Sequence, residues 1–128
     1  MKALDTSEDD PLTREIIGAA IEVHRFFGPG LLESICEKAL THELQLRQLP
    51  VVCQQAVPVR YTGKTLEDFR LDLLVGGEVI VELKTVETLL PIHTAQLLTY
   101  LKLTGFKRGL LINFKVDRLV DGVKRVSL

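Results

Sequence analysis

Apolar residues recur every three to four positions in two segments near the start of the chain, a spacing typical of helices with one buried face. The first helix is expected to begin near Pro11, with Asp10 or Thr13 as its N-cap, because these side chains accept hydrogen bonds from the free amides at a helix start. The turn-forming sequence Gly28-Pro29-Gly30 ends this helix. The second helix is expected from about Leu31 to Gln48.

After residue 50 the pattern changes to shorter apolar segments between turn residues, which indicates strands. The expected elements are a strand at Val51–Tyr61, a strand at Thr65–Leu74, a strand that ends at Lys84, a helix at Pro91–Thr104, a strand at Gly109–Phe114 and edge structure at residues 118–126. A strand, a helix and a second buried strand form a βαβ unit. The Gly109–Phe114 strand is therefore expected to lie parallel to the strand that ends at Lys84.

Two of these strands form a central hairpin, Phe69–Lys84, whose sequence FRLDLLVGGEVIVELK carries charges among apolar residues. Asp72 lies on the first strand, and Glu82 and Lys84 lie on the second. An unpaired ion in a low-dielectric core costs several kcal/mol, so charges at these positions require partners.

The turn in this hairpin decides whether the charges meet, because side chains alternate between the two faces of a strand. A two-residue Gly76-Gly77 loop would direct Asp72 away from Glu82. A three-residue loop, Val75-Gly76-Gly77, would pair Asp72 with Ile80 and place the charges on one face. We expect the three-residue loop.

Two chemical interpretations of the charged cluster remain open on the residues alone. Two carboxylates a few ångströms apart repel each other by roughly 4 kcal/mol at an effective dielectric constant near 20, and a divalent cation removes that repulsion. Oxygen ligands from Asp72 and Glu82 favour Mg²⁺ or Mn²⁺ over Zn²⁺, with Lys84 supplying a positive charge to a phosphate. The alternative is a structural salt bridge of both carboxylates around Lys84, without catalysis.

Polar residues on the helices add candidates to this cluster. Gln96 and Tyr100 lie one turn apart on one face of the third helix. Glu33 lies near the start of the second helix, where the helix dipole stabilises a carboxylate regardless of function, so its role stays open. Glu37 is interpreted as a solvated helix flank, and His24 as a packed core residue rather than a ligand.

Length and composition limit the class of protein. The chain has 128 residues, which predicts a single domain at residues 11–128 after a disordered acidic tail at residues 1–10. A net charge of −1 excludes general polyanion binding, so a nucleic-acid contact requires a local basic patch. Cys36 and Cys53 are too far apart for a CxxC metal site and are expected to be buried thiols. Without a signal peptide or a long apolar segment, the protein is expected to be cytoplasmic, with no membrane partner.

The candidate basic patch consists of Lys102, Lys107 and Arg108, at and beyond the end of the third helix. These residues are predicted to contact phosphates of a nucleic acid. The alternative is a solvated helix end, because basic side chains are favoured near helix C-termini. A second copy of the chain, in a homodimer, is a further candidate partner.

The motifs together resemble a known family. The segments that carry the likeness are LTREIIGAAIEVHRFFGPGLLESIC, VIVELK, AQLLTYLKLTG and GLLINF, within residues 12–114. They resemble the GxxExxY family of small bacterial proteins, in the RecB-type branch of the PD-(D/E)xK nuclease superfamily. The likeness implies an α/β, restriction-endonuclease-like fold with an α-β-β-β-α-β core, in which helices flank a mixed central sheet.

The resemblance also implies a Mg²⁺-dependent (or Mn²⁺-dependent) nuclease and a role for each candidate residue. Asp72, Glu82 and the backbone carbonyl of Leu83 would bind metal, Lys84 would be the catalytic lysine, Glu33 an active-site carboxylate, and Gln96 and Tyr100 residues of the rim. Cys36 stands where the family has its tyrosine, and a thiol cannot replace a phenol as a stacking surface. A non-catalytic interaction module that retains the fold, or a hydrolase for another phosphoester, stays open as an alternative function.

Overall fold

A computed structural model describes residues 10–128; the expected tail falls on residues 1–10 and therefore lies, apart from Asp10, outside the described residues. The elements are α1 (Pro11–Phe27), α2 (Glu33–Leu46), β1 (Val51–Tyr61), β2 (Lys64–Val75), β3 (Val79–Lys84), α3 (Pro91–Thr104), β4 (Arg108–Asn113), a 3-10 turn (Leu119–Gly122) and β5 (Val123–Ser127). Across residues 10–128, no helix combines the length and apolar character needed to cross a membrane.

The five strands form one mixed sheet in the order β1-β2-β3-β4-β5. β3 and β4 are parallel, as expected from the βαβ argument, and the other neighbours are antiparallel. Helices flank the sheet, with α1 and α2 contributing to one apolar core and α3 to a second. The predicted α-β-β-β-α-β core in a mixed sheet is confirmed.

The second helix is shorter than predicted. Leu32 has extended backbone angles, φ −64° and ψ 145°, and serves as the N-cap, so α2 begins at Glu33. At the other end, Gln48 has a positive φ of 62° and turns the chain away from the helix after Leu46. The helix therefore begins two residues after and ends two residues before the limits predicted, Leu31 and Gln48.

The central hairpin has the predicted loop length at a different position. Val75 pairs with Val79, so the three loop residues are Gly76, Gly77 and Glu78 rather than Val75, Gly76 and Gly77. Both glycines adopt positive φ, 63° and 67°, which few other residues tolerate, and the amide of Glu78 donates to the carbonyl of Val75. Val75, which is fully buried, consequently stays in the sheet. The predicted pairing of Asp72 with Ile80 was wrong by two residues, a shift that preserves which face each side chain occupies.

Two of the minor expectations have opposite outcomes. His24 is packed, and its Nε2 lies 2.7 Å from the carbonyl oxygen of Val116, so the interpretation as a core residue is confirmed. Cys36 is buried, but Cys53 is exposed on the edge strand β1, so the expectation of two buried thiols was wrong for Cys53.

The start of α1 is fixed to the sheet through charged residues, which we call the Arg108 clasp: Asp10, Glu78 and Arg108. The Asp10 carboxylate caps α1 by accepting from the amides of Leu12 and Thr13. Arg108 donates to the same carboxylate and, at 2.6 Å, to Glu78 in the hairpin turn. Burial alone raises the pKa of Asp10, but its hydrogen bonds and Arg108 outweigh that effect and lower it.

Replacing Asp10 with alanine is expected to lower the free energy of unfolding by about 1–2 kcal/mol, the usual cost of losing an N-cap. The matched variant Asp10→Asn keeps the cap and loses only the charge opposite Arg108. Urea unfolding monitored by circular dichroism measures both. Equal losses in the two variants would show that the ion pair, and not the cap, carries the contribution.

Candidate active site

The strands β2 and β3 separate next to the hairpin, and two carboxylates bridge the gap. Their regular pairing runs from the turn to Leu73 and Val81. One position further, the amide of Asp72 donates to Glu82 Oε2 at 2.9 Å, and the amide of Leu83 donates to Asp72 Oδ2 at 2.9 Å. Each carboxylate therefore binds the backbone of the opposite strand, which holds the two acidic side chains side by side.

Burial and mutual repulsion make Glu82 a weak acid. Only 7% of Glu82 is accessible to solvent, and desolvation raises its pKa. The negative charge of Asp72 raises it further, to about 8, against the lowering effects of the Asp72 amide and Lys84. Burial and the neighbouring charge of Asp72 therefore favour the protonated form of Glu82 at neutral pH.

Lys84 and Glu33 complete the charged part of the site. The positive charge of Lys84, which is half-buried on β3, acts on both Glu82 and Glu33. Glu33 is exposed in the first turn of α2, and its pKa is raised by desolvation first and then by Asp72. Glu33 therefore lies within electrostatic range of Asp72 and Lys84 and is open to solvent.

An aromatic pair, formed by Tyr100 of α3 and Phe69 of β2, lies near the carboxylates. Tyr100 stacks on Phe69 of β2, with ring centroids 4.3 Å apart and an interplanar angle of 18°. Desolvation raises the pKa of Tyr100, and the charges of Glu82 and Asp72 raise it further, while Gln96 lowers it. Gln96 is exposed one turn before Tyr100 and hydrogen-bonds to its phenol, so the acidic pair acts on Tyr100, and Gln96 is joined to that residue.

The donor set at this position fits a hard divalent cation. Asp72 Oδ2 and Glu82 Oε2 accept backbone hydrogen bonds, and the second oxygen of each carboxylate is the candidate ligand. Leu83 lies between Glu82 and Lys84, and its carbonyl is the predicted backbone ligand. Within residues 10–128, no group of three or more His, Cys, Asp or Glu side chains is arranged to hold a metal ion. A cation here would consequently depend on two carboxylates, backbone oxygen and water or substrate oxygen, which is typical of Mg²⁺.

The predicted basic patch is smaller than its sequence suggested. Arg108 is bound to Asp10 and Glu78, so its charge is already compensated. Lys102 and Lys107 are exposed, and their contact with nucleic acid stays a prediction.

Cys36 lies one turn after Glu33 with its side chain in the core. Desolvation and the neighbouring charge of Glu33 raise the pKa of this thiol to about 11, so it is neutral at physiological pH. A neutral, buried thiol neither donates to solvent nor acts as a nucleophile. Cys36 therefore contributes packing beneath Glu33.

Sequence reasoning missed three contacts near Asp72. Phe69 supports Tyr100, Arg70 donates to the Gln54 carbonyl, and Gln54 donates to both oxygens of Glu37. Glu37 is partly exposed on its helix flank, and it accepts these two hydrogen bonds in an exposed contact. The one sign of these contacts in the sequence was Arg70, a charged residue two positions before Asp72 on the same strand.

Comparison with known proteins assigns the chain at the level of a superfamily. The family model described as the PD-(D/E)XK nuclease superfamily matches residues 10–126, which is nearly the whole chain. No curated protein and no solved structure gave a significant match.

Proposed function

Because the chain belongs to the PD-(D/E)XK nuclease superfamily, we propose that it is a nuclease dependent on Mg²⁺ or Mn²⁺, with Asp72, Glu82 and Lys84 at its active centre. The observation that carries the proposal is the cross-bonded pair of Asp72 and Glu82, held 2.9 Å from the amides of the opposite strand. Burying two carboxylates side by side, with a lysine near them, lowers the stability of the fold, and such arrangements are concentrated at functional sites.

Each residue of the site would have a distinct task. A bound Mg²⁺ or Mn²⁺ would lower the pKa of a water molecule and stabilise negative charge on the scissile phosphate. Asp72, Glu82 and the carbonyl of Leu83 would hold that cation, and the backbone amides fix both carboxylates before it binds. Lys84 would place its ammonium group near the phosphate, where charge increases in the transition state.

The remaining candidates would orient the substrate. Glu33, at the solvent side, would accept a hydrogen bond from a water molecule or a metal-bound ligand. Tyr100, held flat by Phe69, and Gln96 would contact the sugar-phosphate backbone or a base from α3. We further propose that the protein belongs to the RecB-type branch and the GxxExxY family, and that it acts in the cytoplasm as one domain over residues 11–128. A homodimer and phosphate contacts by Lys102 and Lys107 complete the proposal.

Cleavage assays test the activity directly. Purified protein is incubated with single-stranded, duplex and branched DNA and with RNA, in Mg²⁺, in Mn²⁺ and in excess EDTA. The proposal requires divalent-dependent cleavage of at least one substrate, and loss of that activity in Asp72→Asn. Wild-type protein that is folded yet inactive on all of them would favour a non-catalytic module that retains the nuclease fold.

Divalent cations are also expected to stabilise the fold. At a concentration one hundred times its dissociation constant, a cation that binds only the native state adds about 2.7 kcal/mol to the free energy of unfolding. The increase should appear in wild-type protein and be much smaller in Asp72→Asn and Glu82→Gln. Ca²⁺ and Zn²⁺ serve as comparison ions in the same thermal unfolding series. If Mg²⁺ and Mn²⁺ stabilise all three proteins equally, the cation binds elsewhere.

A further inference from the structure

The edge strand β1 contains a left-handed residue directly across from Asp72. The flanking pairs are Cys53 with Leu73 and Gln55 with Leu71, so Gln54 occupies the position opposite Asp72. Gln54 has a φ of 54°, a conformation that costs free energy for a residue with a side chain. In the described part of the chain, the other non-glycine residues with positive φ, Gln48 and Thr62, lie in turns.

Two sets of hydrogen bonds hold this conformation in place. The Arg70 guanidinium donates from Nη1 to the Gln54 carbonyl at 2.9 Å. The Gln54 amide group donates to Glu37 Oε1 at 2.9 Å and to Oε2 at 3.1 Å. Both contacts involve a charged partner, which makes them stronger than neutral hydrogen bonds. Residues from α2, β1 and β2 are thereby joined at Gln54.

The strained residue coincides with the point where Asp72 leaves regular pairing on both sides. The β1–β2 ladder passes from the Cys53 pair to the Gln55 pair without a Gln54–Asp72 pair. On the other side, the Asp72 amide donates to the Glu82 carboxylate instead of a backbone carbonyl. The direction of the Asp72 side chain is consequently set by the local shape of β1 and β2 rather than by a continuous ladder.

We propose that Gln54 and Arg70 are positioning residues that set the Asp72 carboxylate against Glu82, with Glu37 as the anchor on α2. The catalytic meaning of this inference rests on the proposed nuclease function, whereas its geometric part does not. An extended residue at position 54 would draw β1 back into regular pairing with Asp72. The Asp72 carboxylate would then move away from the Leu83 amide.

Substitutions at position 54 separate backbone shape from side-chain contact. Gln54→Val disfavours positive φ because valine is β-branched, so it should straighten the strand. Gln54→Gly allows positive φ and keeps the carbonyl that accepts from Arg70, but it loses the bond to Glu37. Gln55→Val is the matched control, since Gln55 is an exposed neighbour in ordinary strand pairing. Arg70→Gln removes the guanidinium as a second, independent variant.

The amide protons of Asp72 and Leu83, measured by NMR in metal-free protein at one pH, report the geometry without any catalysis. In Gln54→Val and Arg70→Gln both resonances should move upfield as their hydrogen bonds to the carboxylates lengthen. They should stay in place in Gln54→Gly and in Gln55→Val. If the amide shifts of Gln54→Val, or of Arg70→Gln where the valine variant fails to fold, equal those of wild type, the inference is overturned.

Cleavage kinetics of the same variants test the catalytic part of the proposal. Partners that orient ligating side chains typically contribute about 10–100-fold to activity. Gln54→Val and Arg70→Gln should therefore lower kcat by about tenfold or more with little change in KM, and Gln54→Gly should keep most of kcat. If the amide resonances move as expected in the variants but the wild-type protein cleaves no nucleic acid, the nuclease proposal is refuted and the positioning role is supported. Normal shifts with reduced kcat would refute the positioning role instead.

Discussion

Lys84→Ala is expected to reduce nucleic-acid cleavage by about 10²–10³-fold, the usual effect of removing one group that stabilises transition-state charge. Lys84 is half-buried, and its charge acts on Glu82 and Glu33 in the free protein. Because the lysine competes with a cation for the carboxylates, its removal should leave Mg²⁺ binding intact or tighter. Single-turnover rates and calorimetric titration of Mg²⁺ measure the two effects separately.

The control for this substitution is Lys124→Ala, an exposed lysine on the edge strand β5. It should leave both the rate and Mg²⁺ binding unchanged. The structural alternative makes a different prediction for Lys84→Ala: a buried carboxylate pair without its cation should destabilise the fold by about 3–5 kcal/mol. A loss of that size, not restored by Mg²⁺ and found in a protein inactive as wild type, would contradict the nuclease interpretation.

The metal-free protein is expected to lose stability as the pH rises from about 5 to about 8. Glu82 has a pKa of about 8 in the folded state, against 4.5 as the ordinary value. Between these values the folded protein keeps a proton that the unfolded chain has released, so the free energy of unfolding falls with pH. The expected fall is several kcal/mol, since each pKa unit corresponds to about 1.4 kcal/mol. Urea unfolding in EDTA at half-unit pH steps measures it.

Glu82→Gln isolates this effect, because glutamine has nearly the same shape, accepts from the Asp72 amide and does not titrate. All other titratable groups are the same in both proteins, so the difference between the two profiles belongs to Glu82 and the groups coupled to it. Asp72→Asn should reduce the slope, since the charge of Asp72 raises the pKa of Glu82. Parallel profiles for wild type and Glu82→Gln would show that Glu82 is already ionised at pH 5.

The sequence predicted the shape of the sheet well because apolar periodicity and turn residues determine it. Strand β1 and helix α3 have the predicted limits, and β4 is parallel to β3 as the βαβ argument required. For the central hairpin, the length of the loop was predictable but its position was not. A three-residue loop determines the face of each side chain. The positive φ of both glycines, which leaves Val75 in the sheet, was not evident from the sequence.

The site was harder to predict than the fold, because its details depend on contacts between distant segments. The left-handed backbone of Gln54 has no signature in the sequence, since glutamine is not a residue that favours positive φ. The guanidinium of Arg108 is taken up by Asp10, 98 residues earlier, which no local pattern reveals. The cross-bonding of Asp72 and Glu82 to opposite amides likewise follows from the divergence of two strands.

The Arg108 clasp has a consequence for synthesis on the ribosome. Asp10, which caps α1, is translated 98 residues before Arg108. The strands that α1 packs against, among them β3 and β4, also emerge late. Until these strands have been translated, the apolar face of α1 has no sheet to cover it, and the Asp10 cap is not yet joined to Arg108. In that interval the uncovered apolar surface of α1 is accessible to chaperones and to other nascent chains.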